Sequence, residues 1–401
     1  MQADGESIQT LDINLEVSPM EIPPPEQWAF HLDLWQNPFA VARYHDVPLW
    51  SEEHWKYLKP LLEMLAGAGQ KSITVSVLDS PWGGQTYDPF KAMVKWTRHK
   101  DGGWSYDYSV FDRWVSFARE AGIKEQINVY TMIPWGNEFR YFDEEEDAYV
   151  TKKLEPGTKE YNAHWRPFLE DFAKHLKEKG WFDRTNIAMD ERPMEAMKGA
   201  LDLIRQVEPN FKVALAGNYH KEIASDIYDL SVTLSQNIPD QVIQRRNKVN
   251  KITTFYTSCA HEKPNTFTFS KPAYATWYAW YAAAHNLSGY LRWAYNSWVR
   301  DPLKDSRFRT WPAGDTYLVY PGARSSIRFE RLREGIQDFE KIRILKEKIR
   351  RQNTPESKQQ LQRLQDILDS FRVDQLEQQE AGQMIREGRK VLKTIEKQIT
   401  N

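Results

Sequence analysis

The clearest indication of the fold is the segment Thr185-Asn186-Ile187-Ala188-Met189-Asp190-Glu191-Arg192-Pro193. A short apolar segment ends there on two adjacent carboxylates, and a proline suited to open a helix follows. In a barrel or an open α/β sheet, the residues that follow a strand lie at its carboxyl end, where such folds keep their chemistry. Because consecutive side chains of a strand point to opposite faces, both acids reach one pocket only if the chain bends between them. The pattern therefore predicts a strand, a bend at Asp190-Glu191 and then a helix.

Outward from this stretch, from Trp28 onward, short apolar runs alternate with helical patterns, which is typical of repeated βα units and a parallel sheet. The predicted strands are Ala29–Leu34, Ser72–Leu78, Ile127–Ile133, Thr185–Met189, Lys212–Ala216, Leu230–Ser235, Ile252–Ser258 and Gly289–Tyr295. Eight βα units over roughly 300 residues favour a (β/α)8 TIM barrel, with the two acids at the end of the fourth strand. A doubly wound sheet is the alternative, since the pattern alone does not show closure.

The two ends of the chain differ in character from the barrel. Residues 10–17 alternate apolar and polar side chains, which predicts a half-buried strand, and Pro23-Pro24-Pro25 predicts a stiff linker. We therefore expect residues 1–27 to be a remnant of an upstream β domain, residues 28–350 to form the catalytic barrel, and residues 351–401 to form a C-terminal helical extension. The extension is predicted from charged segments with regularly spaced leucine and isoleucine, typical of amphipathic helices.

Composition argues against several classes of partner and site. The 401 residues include 54 basic and 56 acidic side chains, a net charge of −2, so no charge excess would attract nucleic acid. No apolar run is long enough to span a membrane, and the first residues lack the basic and apolar segments of a signal peptide. The single cysteine, Cys259, excludes an intrachain disulfide and is expected to be a small buried apolar side chain. The histidines form no metal-binding pair, and no phosphate-binding glycine loop occurs, so we expect neither a metal nor a cofactor.

A rim of aromatic, amide and charged side chains follows the predicted strands. The residues expected to bind substrate there are Trp35, Arg43, Trp135, Asn218, His220, Tyr256, Trp293, Tyr295, Asn296 and Trp298. Flat rings combined with fixed amide and guanidinium donors suit a neutral, polyhydroxylated ring. Each of these residues alone could equally pack against a neighbouring loop, so it is their convergence that predicts a carbohydrate site.

Two neighbouring carboxylates suit a mechanism in which each has a different role. A conventional retaining glycosidase holds two carboxyl groups about 5–5.5 Å apart on opposite sides of the scissile bond, and these usually come from different strands. Adjacent residues suit substrate assistance better, in which the 2-acetamido oxygen of the sugar attacks its own anomeric carbon. One acid then orients the amide while its neighbour protonates the leaving oxygen.

Three segments of the chain resemble glycoside hydrolase family 123: NIAMDERP (186–193), GYLRWAYN (289–296) and SIRFERLREGIQDFE (326–340). The resemblance covers about Trp28 to Lys346. It implies a (β/α)8 barrel and a retaining exo-β-N-acetylgalactosaminidase that works by substrate assistance through an oxazoline-type intermediate. It further implies that Asp190 orients the acetamido group, that Glu191 is the general acid and then the base, and that the protein is secreted or periplasmic. The expected partner is a glycan or glycoconjugate with a terminal N-acetylhexosamine.

Two alternatives stay open on the sequence. The same mechanism could act on N-acetylglucosaminides, because no residue is identified that would contact the axial or the equatorial 4-hydroxyl. The chain could also be a non-catalytic carbohydrate-binding barrel, although the intact Asp190-Glu191 pair argues against that function.

Overall fold

The computed structural model describes residues 2–3, 6–7, 12–18 and 20–400, and a barrel of eight parallel strands forms its centre. The strands are β1 His31–Leu34, β2 Ser72–Ser76, β3 Gln126–Tyr130, β4 Thr185–Asp190, β5 Lys212–Gly217, β6 Asp229–Thr233, β7 Ile252–Tyr256 and β8 Gly289–Arg292. They follow one another around the sheet from β2 to β8, and β8 pairs in parallel with β1. This order confirms the predicted (β/α)8 barrel, because the first strand pairs with the last and the sheet closes on itself.

Glutamine side chains connect β1 to β2 at the place where the barrel closes, which is called here the seam. The backbone contributes an isolated bridge between Leu32 and Gln70 rather than a ladder. The Leu34 amide donates to Gln70 Oε1 at 2.9 Å, and the Thr74 amide donates to Gln36 Oε1 at 2.8 Å. Because a buried backbone amide must find an acceptor, the two side chains supply what the missing ladder would have provided.

Helices cover the outside of the barrel and build the C-terminal part of the chain. Within the described residues they are α1 Pro38–Tyr44, α2 Glu52–Ala66, α3 Ser109–Glu120, α4 Lys159–Glu178, α5 Met194–Val207, α6 Asp240–Lys248, α7 Ala273–Ala284, α8 Ile327–Gln352, α9 Pro355–Leu368 and α10 Ala381–Thr400. The start of α2 illustrates the local cause, since Ser51 Oγ accepts from the His54 amide at 3.2 Å and caps the first turn. None of the helices in this part of the chain has a length and apolarity that would let it cross a membrane.

A second, smaller sheet, called here the side sheet, was not predicted. Its four strands are Lys95–Arg98, Trp104–Asp107, Glu138–Asp143 and Ala148–Lys153, and they belong to the segments that follow β2 and β3. Trp96 anchors the sheet on α4, where it stacks on Phe168 with ring centroids 4.4 Å apart. A 2.8 Å ion pair from Arg140 of the side sheet to Asp79 ties this sheet to the segment after β2.

The predicted strand over residues 10–17 is not found. Thr10 and Leu11 lie outside the described residues, and residues 12–18 have no regular structure. Ile13, Leu15 and Val17 are 87%, 85% and 82% exposed. Apolar alternation buries one face of a strand only when a neighbouring strand pairs with it, and no strand of the described residues pairs with this segment, so the prediction of a half-buried strand is wrong there. That residues 1–27 are a remnant of a β domain stays a prediction.

The C-terminal helices pack tightly on the barrel. Phe371 stacks on Trp280 of α7 with ring centroids 4.8 Å apart. Gly388 of α10 lies so close that a Cβ there would fall 2.5 Å from the Trp280 ring. Arg389 pairs with Asp338 of α8 at 2.7 Å. The segment after α8 therefore covers apolar surface that would otherwise face water.

A buried polar cluster fills the amino-terminal end of the barrel interior. His31 contacts Asp229 at 3.4 Å, and Asn128 donates to Asp33 at 3.1 Å. Burial raises the pKa of Asp33 to about 7, and the charge of Asp229 adds to this rise. Burial alone would lower the pKa of His31, but the charge of Asp229 raises it overall. Asp33 therefore takes up a proton near neutral pH.

We expect Asp33→Asn to stabilise the fold at alkaline pH. The folded-state pKa of Asp33 lies above its ordinary value, so its contribution to stability is complete below about pH 4 and is lost as the pH rises through about 7. An asparagine carries no charge and still accepts from Asn128, so the free energy of unfolding should gain on the order of 1–3 kcal/mol at about pH 8 and little at about pH 5. Urea unfolding of both proteins at the two pH values measures this. The control is Asp202→Asn on the exposed face of α5. If Asp33→Asn changed the free energy of unfolding by the same amount at both pH values, the prediction would be contradicted.

Candidate active site

The two acids at the end of β4 line one cavity at the carboxyl end of the barrel. Asp190 is the last residue of the strand, and the chain bends at Glu191 before α5 begins at Met194. Both side chains line a cavity of about 360 Å³. The bend is what brings two consecutive side chains to one space, as the strand pattern required.

The cavity is walled mainly by aromatic rings. Its lining residues are Trp35, Trp82, Gln85, Trp135, Asp190, Glu191, Ala216, Tyr256, Ser258, Cys259, Leu291, Trp293 and Trp311. Trp35 and Trp82 stack with centroids 4.9 Å apart and an interplanar angle of 27°. Such faces pack against the C–H surface of a sugar ring, while the acids supply polar contacts.

Asp190 is held by one hydrogen bond and has one oxygen left for a ligand. Trp135 Nε1 donates to its Oδ2 at 2.5 Å. Its Oδ1 is buried and has no donor among the described residues. Burial raises the pKa of this carboxyl to about 6, against the opposing effects of the Trp135 hydrogen bond and the Arg192 charge. At neutral pH the group is therefore mostly ionised and can accept an N–H from a bound molecule.

Tyr256 stands at the end of β7 beside both acids. Burial raises the pKa of its hydroxyl to about 12, and the charges of Glu191 and Asp190 add to that rise. The hydroxyl is therefore neutral at all working pH values and can donate a hydrogen bond to a carbonyl oxygen in the cavity.

A larger cavity, of about 450 Å³, is lined by acids that are paired with basic side chains. It lies between the segment before residue 20 and α10. Its Glu16 pairs with Lys393 and Lys397, and its Asp338 pairs with Arg389. Acids neutralised in this way are poor candidates for proton transfer, so size alone does not locate the active site.

Two further acids near the rim, Asp79 and Asp143, are also neutralised by arginine. Asp79 contacts Arg140 at 2.8 Å, and Asp143 contacts Arg98 at 3.4 Å. Neither lines the cavity. Within the described residues, the carboxylates of the cavity are therefore those of Asp190 and its neighbour.

Of the ten residues predicted to bind substrate, the structure brings Trp35, Trp135, Tyr256 and Trp293 to the cavity. Asn218 and His220 follow β5 and are half-buried, but neither lines it. A role for these two in binding stays a prediction without support from the cavity geometry.

Arg43 and Trp298 are tied into the fold. Arg43 Nη2 donates to Asp88 Oδ2 at 2.8 Å and to the Trp298 carbonyl at 2.7 Å. The Trp298 ring is fully buried, and its Nε1 donates to the Val319 carbonyl at 2.8 Å. Neither residue lines the cavity and their polar groups are paired within the protein, so we leave both out of the binding residues.

Tyr295 and Asn296 are also buried away from the cavity. The Tyr295 hydroxyl donates to the Leu61 carbonyl at 2.9 Å, and Asn296 Nδ2 donates to the Asn37 carbonyl at 3.0 Å. Their position follows from the path of the chain after β8, where the Leu318 amide donates to the Tyr295 carbonyl and holds the segment against the barrel. We leave these two residues out of the binding set as well.

Several cavity residues were not predicted. Cys259 was expected to be buried in a strand, but β7 ends at Tyr256, so the cysteine lies beyond the strand, is exposed and lines the cavity. Trp311 comes from the long segment between β8 and α8, where no strand end marks its position. Trp82 follows the predicted second strand and was expected on the rim, although not among the residues that bind substrate, whereas no signal in the sequence singled out Gln85.

We expect Gly217→Ala to impair catalysis with little loss of stability. Gly217 ends β5, and a Cβ there would lie 3.2 Å from both Cα and Cβ of Glu191. Because that distance is shorter than an ordinary contact, Glu191 must shift by a few tenths of an ångström, and kcat should fall about tenfold. Steady-state kinetics with thermal unfolding measure both effects. Gly180→Ala is the control for a glycine-to-alanine change without a steric contact, since a Cβ there has open space, although its positive φ adds backbone strain. A wild-type kcat in Gly217→Ala would refute the positioning role.

Two of the comparisons with known proteins point to one family. Residues 35–345 match the family model described as glycoside hydrolase 123, catalytic domain. A solved family 123 glycoside hydrolase from Clostridium perfringens, studied for the hydrolysis of glycolipid glycans, is 27% identical, with a TM-score of 0.84 over 95% of this chain and 71% of its own. A cold-adapted β-galactosidase from Rahnella sp. R3 is 8% identical, with a TM-score of 0.45 over 80% of this chain and 57% of its own. A search of curated protein sequences gave no match.

Proposed function

The chain belongs to glycoside hydrolase family 123 and is a glycosidase, and we propose that it releases terminal β-linked N-acetylgalactosamine with retention, by substrate-assisted catalysis. The observation that carries the proposal is a cavity to which the described part of the chain contributes two adjacent carboxylates and no third. Its substrate is then a glycan or glycoconjugate that ends in this sugar.

The absence of a third cavity carboxylate in the described residues supports the substrate as nucleophile. A conventional retaining mechanism needs one carboxylate below the anomeric carbon and an acid above the leaving oxygen. Asp190 and Glu191 come from one strand end, and the rim acids Asp79 and Asp143 are paired with arginines outside the cavity. The 2-acetamido oxygen can supply the missing nucleophile from within the sugar itself.

Asp190 and Tyr256 are suited to hold the acetamido group. The unpaired Oδ1 of Asp190 would accept the amide N–H, and the ionised carboxylate would stabilise the positive charge that develops on the nitrogen. The neutral Tyr256 hydroxyl would donate to the amide oxygen and orient it toward the anomeric carbon. The aromatic walls of the cavity would keep the ring in place.

Glu191 would act first as the general acid and then as the general base. It is the exposed member of the pair, as expected for an acid that meets a leaving group on its way to solvent. Its carboxyl proton goes to the glycosidic oxygen while the acetamido oxygen bonds to the anomeric carbon and the glycosidic bond breaks. The resulting carboxylate then takes a proton from water, whose oxygen opens the cyclised intermediate and restores the original configuration.

The test is turnover of a 4-nitrophenyl β-N-acetylgalactosaminide, followed by proton NMR of the first anomer released. We expect the β anomer first, and we expect Glu191→Gln to lose about 10²–10⁴ in kcat/KM on an unactivated glycoside. Preference for the gluco epimer would change the sugar but keep the mechanism. Binding of the sugar without any turnover would make the protein a carbohydrate-binding barrel instead.

A further inference from the structure

A turn at the mouth of the cavity presents an unpaired arginine. The Trp311 amide donates to the Phe308 carbonyl at 3.0 Å and closes a tight turn with Arg309 next to its start. Trp311 itself lines the cavity. Arg309 is exposed. Within the residues that the structure describes it forms no ion pair or hydrogen bond, and its guanidinium lies over the Phe308 ring, 5.2 Å from the ring centroid.

The guanidinium of Arg309 lies against a backbone that has no side chain. A Cβ on Gly84 would fall 2.6 Å from Arg309 Nη1 and 3.0 Å from Nη2. Gly84 precedes Gln85, which lines the cavity. The glycine therefore makes the space that the guanidinium occupies, and it places that charge beside the cavity entrance.

The backbone at Arg309 is unusual for an arginine. Its φ is 53°, in the left-handed region that costs a side-chain-bearing residue on the order of 1 kcal/mol and that turns usually fill with glycine or asparagine. The turn accounts for this conformation, because Phe308 and Trp311 form an antiparallel bridge around it and a two-residue hairpin turn needs a positive φ. Within the described protein the guanidinium contacts the Phe308 ring, and its N–H donors have no acceptor.

Nearby acids are already neutralised. Asp305 is bound by both Nε and Nη2 of Arg307, and Asp88 is bound by Arg43. Neither acid pairs with Arg309, so within the described residues its N–H donors are open to a ligand while its face meets the Phe308 ring. Aromatic rings surround it, since Phe308 stacks on Trp311 with centroids 5.7 Å apart and Tyr87 meets the edge of Phe308 at 6.2 Å.

We propose that Arg309, seated on Gly84, binds an anionic substituent of the sugar that precedes the released residue, either a carboxylate or a sulfate ester. A guanidinium pairs with either group through two parallel N–H donors, and the neighbouring rings offer a surface for the sugar that carries it. This inference rests on the proposed function, because it places the released sugar in the cavity and the rest of the glycan at its mouth.

The test compares matched substrates. These are β-linked N-acetylgalactosamine on galactose, and the same disaccharide carrying either a sialic acid or a sulfate on the galactose. We expect Arg309→Gln to lower kcat/KM for at least one anionic substrate about tenfold, mainly through KM, and to change the neutral substrate less than about twofold. The sialyl and sulfated substrates distinguish the two sources of the charge.

Two further variants separate the charge from its position. Gly84→Ala keeps the charge but displaces the guanidinium, so it should reproduce the loss on the anionic substrate. Arg363→Gln removes an exposed, unpaired arginine from α9 and should change neither substrate.

Equal losses on neutral and anionic substrates in Arg309→Gln, or no loss on either, would overturn the inference. Calorimetric binding of the three disaccharides to wild type and Arg309→Gln gives the same comparison without turnover. If wild type hydrolyses none of them, the proposed function fails, whereas a binding difference confined to the anionic sugars would still support the arginine subsite.

Discussion

Asp190→Asn is expected to lower kcat by a factor of about 10²–10³ with a much smaller change in KM, the range for losing one preorganised electrostatic partner of the transition state. In the structure Asp190 offers Oδ2 to Trp135 and keeps Oδ1 without a donor. An asparagine has one oxygen, so either the indole or the acetamido N–H loses its acceptor. The amide also lacks the charge that favours a developing cation.

The pH dependence of kcat/KM gives an independent check on Asp190. Its pKa of about 6 means that the carboxylate form is lost as the pH falls below that value. Because the proposed mechanism needs the ionised form, activity should fall on this acid side in wild type, and this limb should vanish in Asp190→Asn. Asp79→Asn, at a rim acid that pairs with Arg140 outside the cavity, is the matched control and should leave the limb in place.

A substrate that lacks the acetamido group tests the same mechanism by changing the sugar instead of the protein. An aryl β-galactoside with a plain 2-hydroxyl has no internal nucleophile, so it should be essentially inert even when it binds. Comparable turnover of this substrate, or a covalent glycosyl-enzyme trapped on a carboxylate by a 2-fluoro sugar, would replace substrate assistance with a conventional two-carboxylate mechanism.

The second large effect is expected for Glu191→Gln, and it should depend on the leaving group. Glutamine cannot donate a proton, so glycosides with an alkyl or sugar leaving group should lose about 10²–10⁴ in kcat/KM. A dinitrophenyl leaving group needs no proton and should lose far less. Rates across a series of substituted phenyl glycosides measure this, since the variant should show a steeper dependence on leaving-group pKa than wild type. Parallel dependences would exclude Glu191 as the acid.

The barrel could be predicted from the sequence because its parallel strands are buried on both faces. Such strands are short apolar runs bounded by turns, and β4 ends within one residue of the prediction. The helical patterns of the sequence likewise predict helices over Glu52–Ala66 and Met194–Val207, and these are the observed bounds of α2 and α5. A serine cap and a proline mark their first turns, and these are local signals.

The side sheet and parts of the cavity could not be predicted by the same means. The strand Ala148–Lys153 is exposed along nearly its whole length, so its pattern is that of a loop. Tyr295 lies just past β8, as rim residues do, but the chain there folds back against residue 318 and turns the side chain into the core. Trp311 reaches the cavity from far along the chain, and only the tertiary path reveals that contact.

The glutamine-held seam has a consequence for how the chain is assembled. By its backbone β1 belongs with β8, the last strand to emerge during synthesis, and it has one bridge to the segment before β2. Strands β2 to β7 can therefore pair in order as they are synthesised. β1 can form its ladder only after β8, which is made more than 200 residues later. Closure of the cylinder is then a late, long-range event. A permuted chain that begins at β2 and ends with β1 would place every ladder between consecutive strands, and it would leave Gln36 and Gln70 to clasp the two ends.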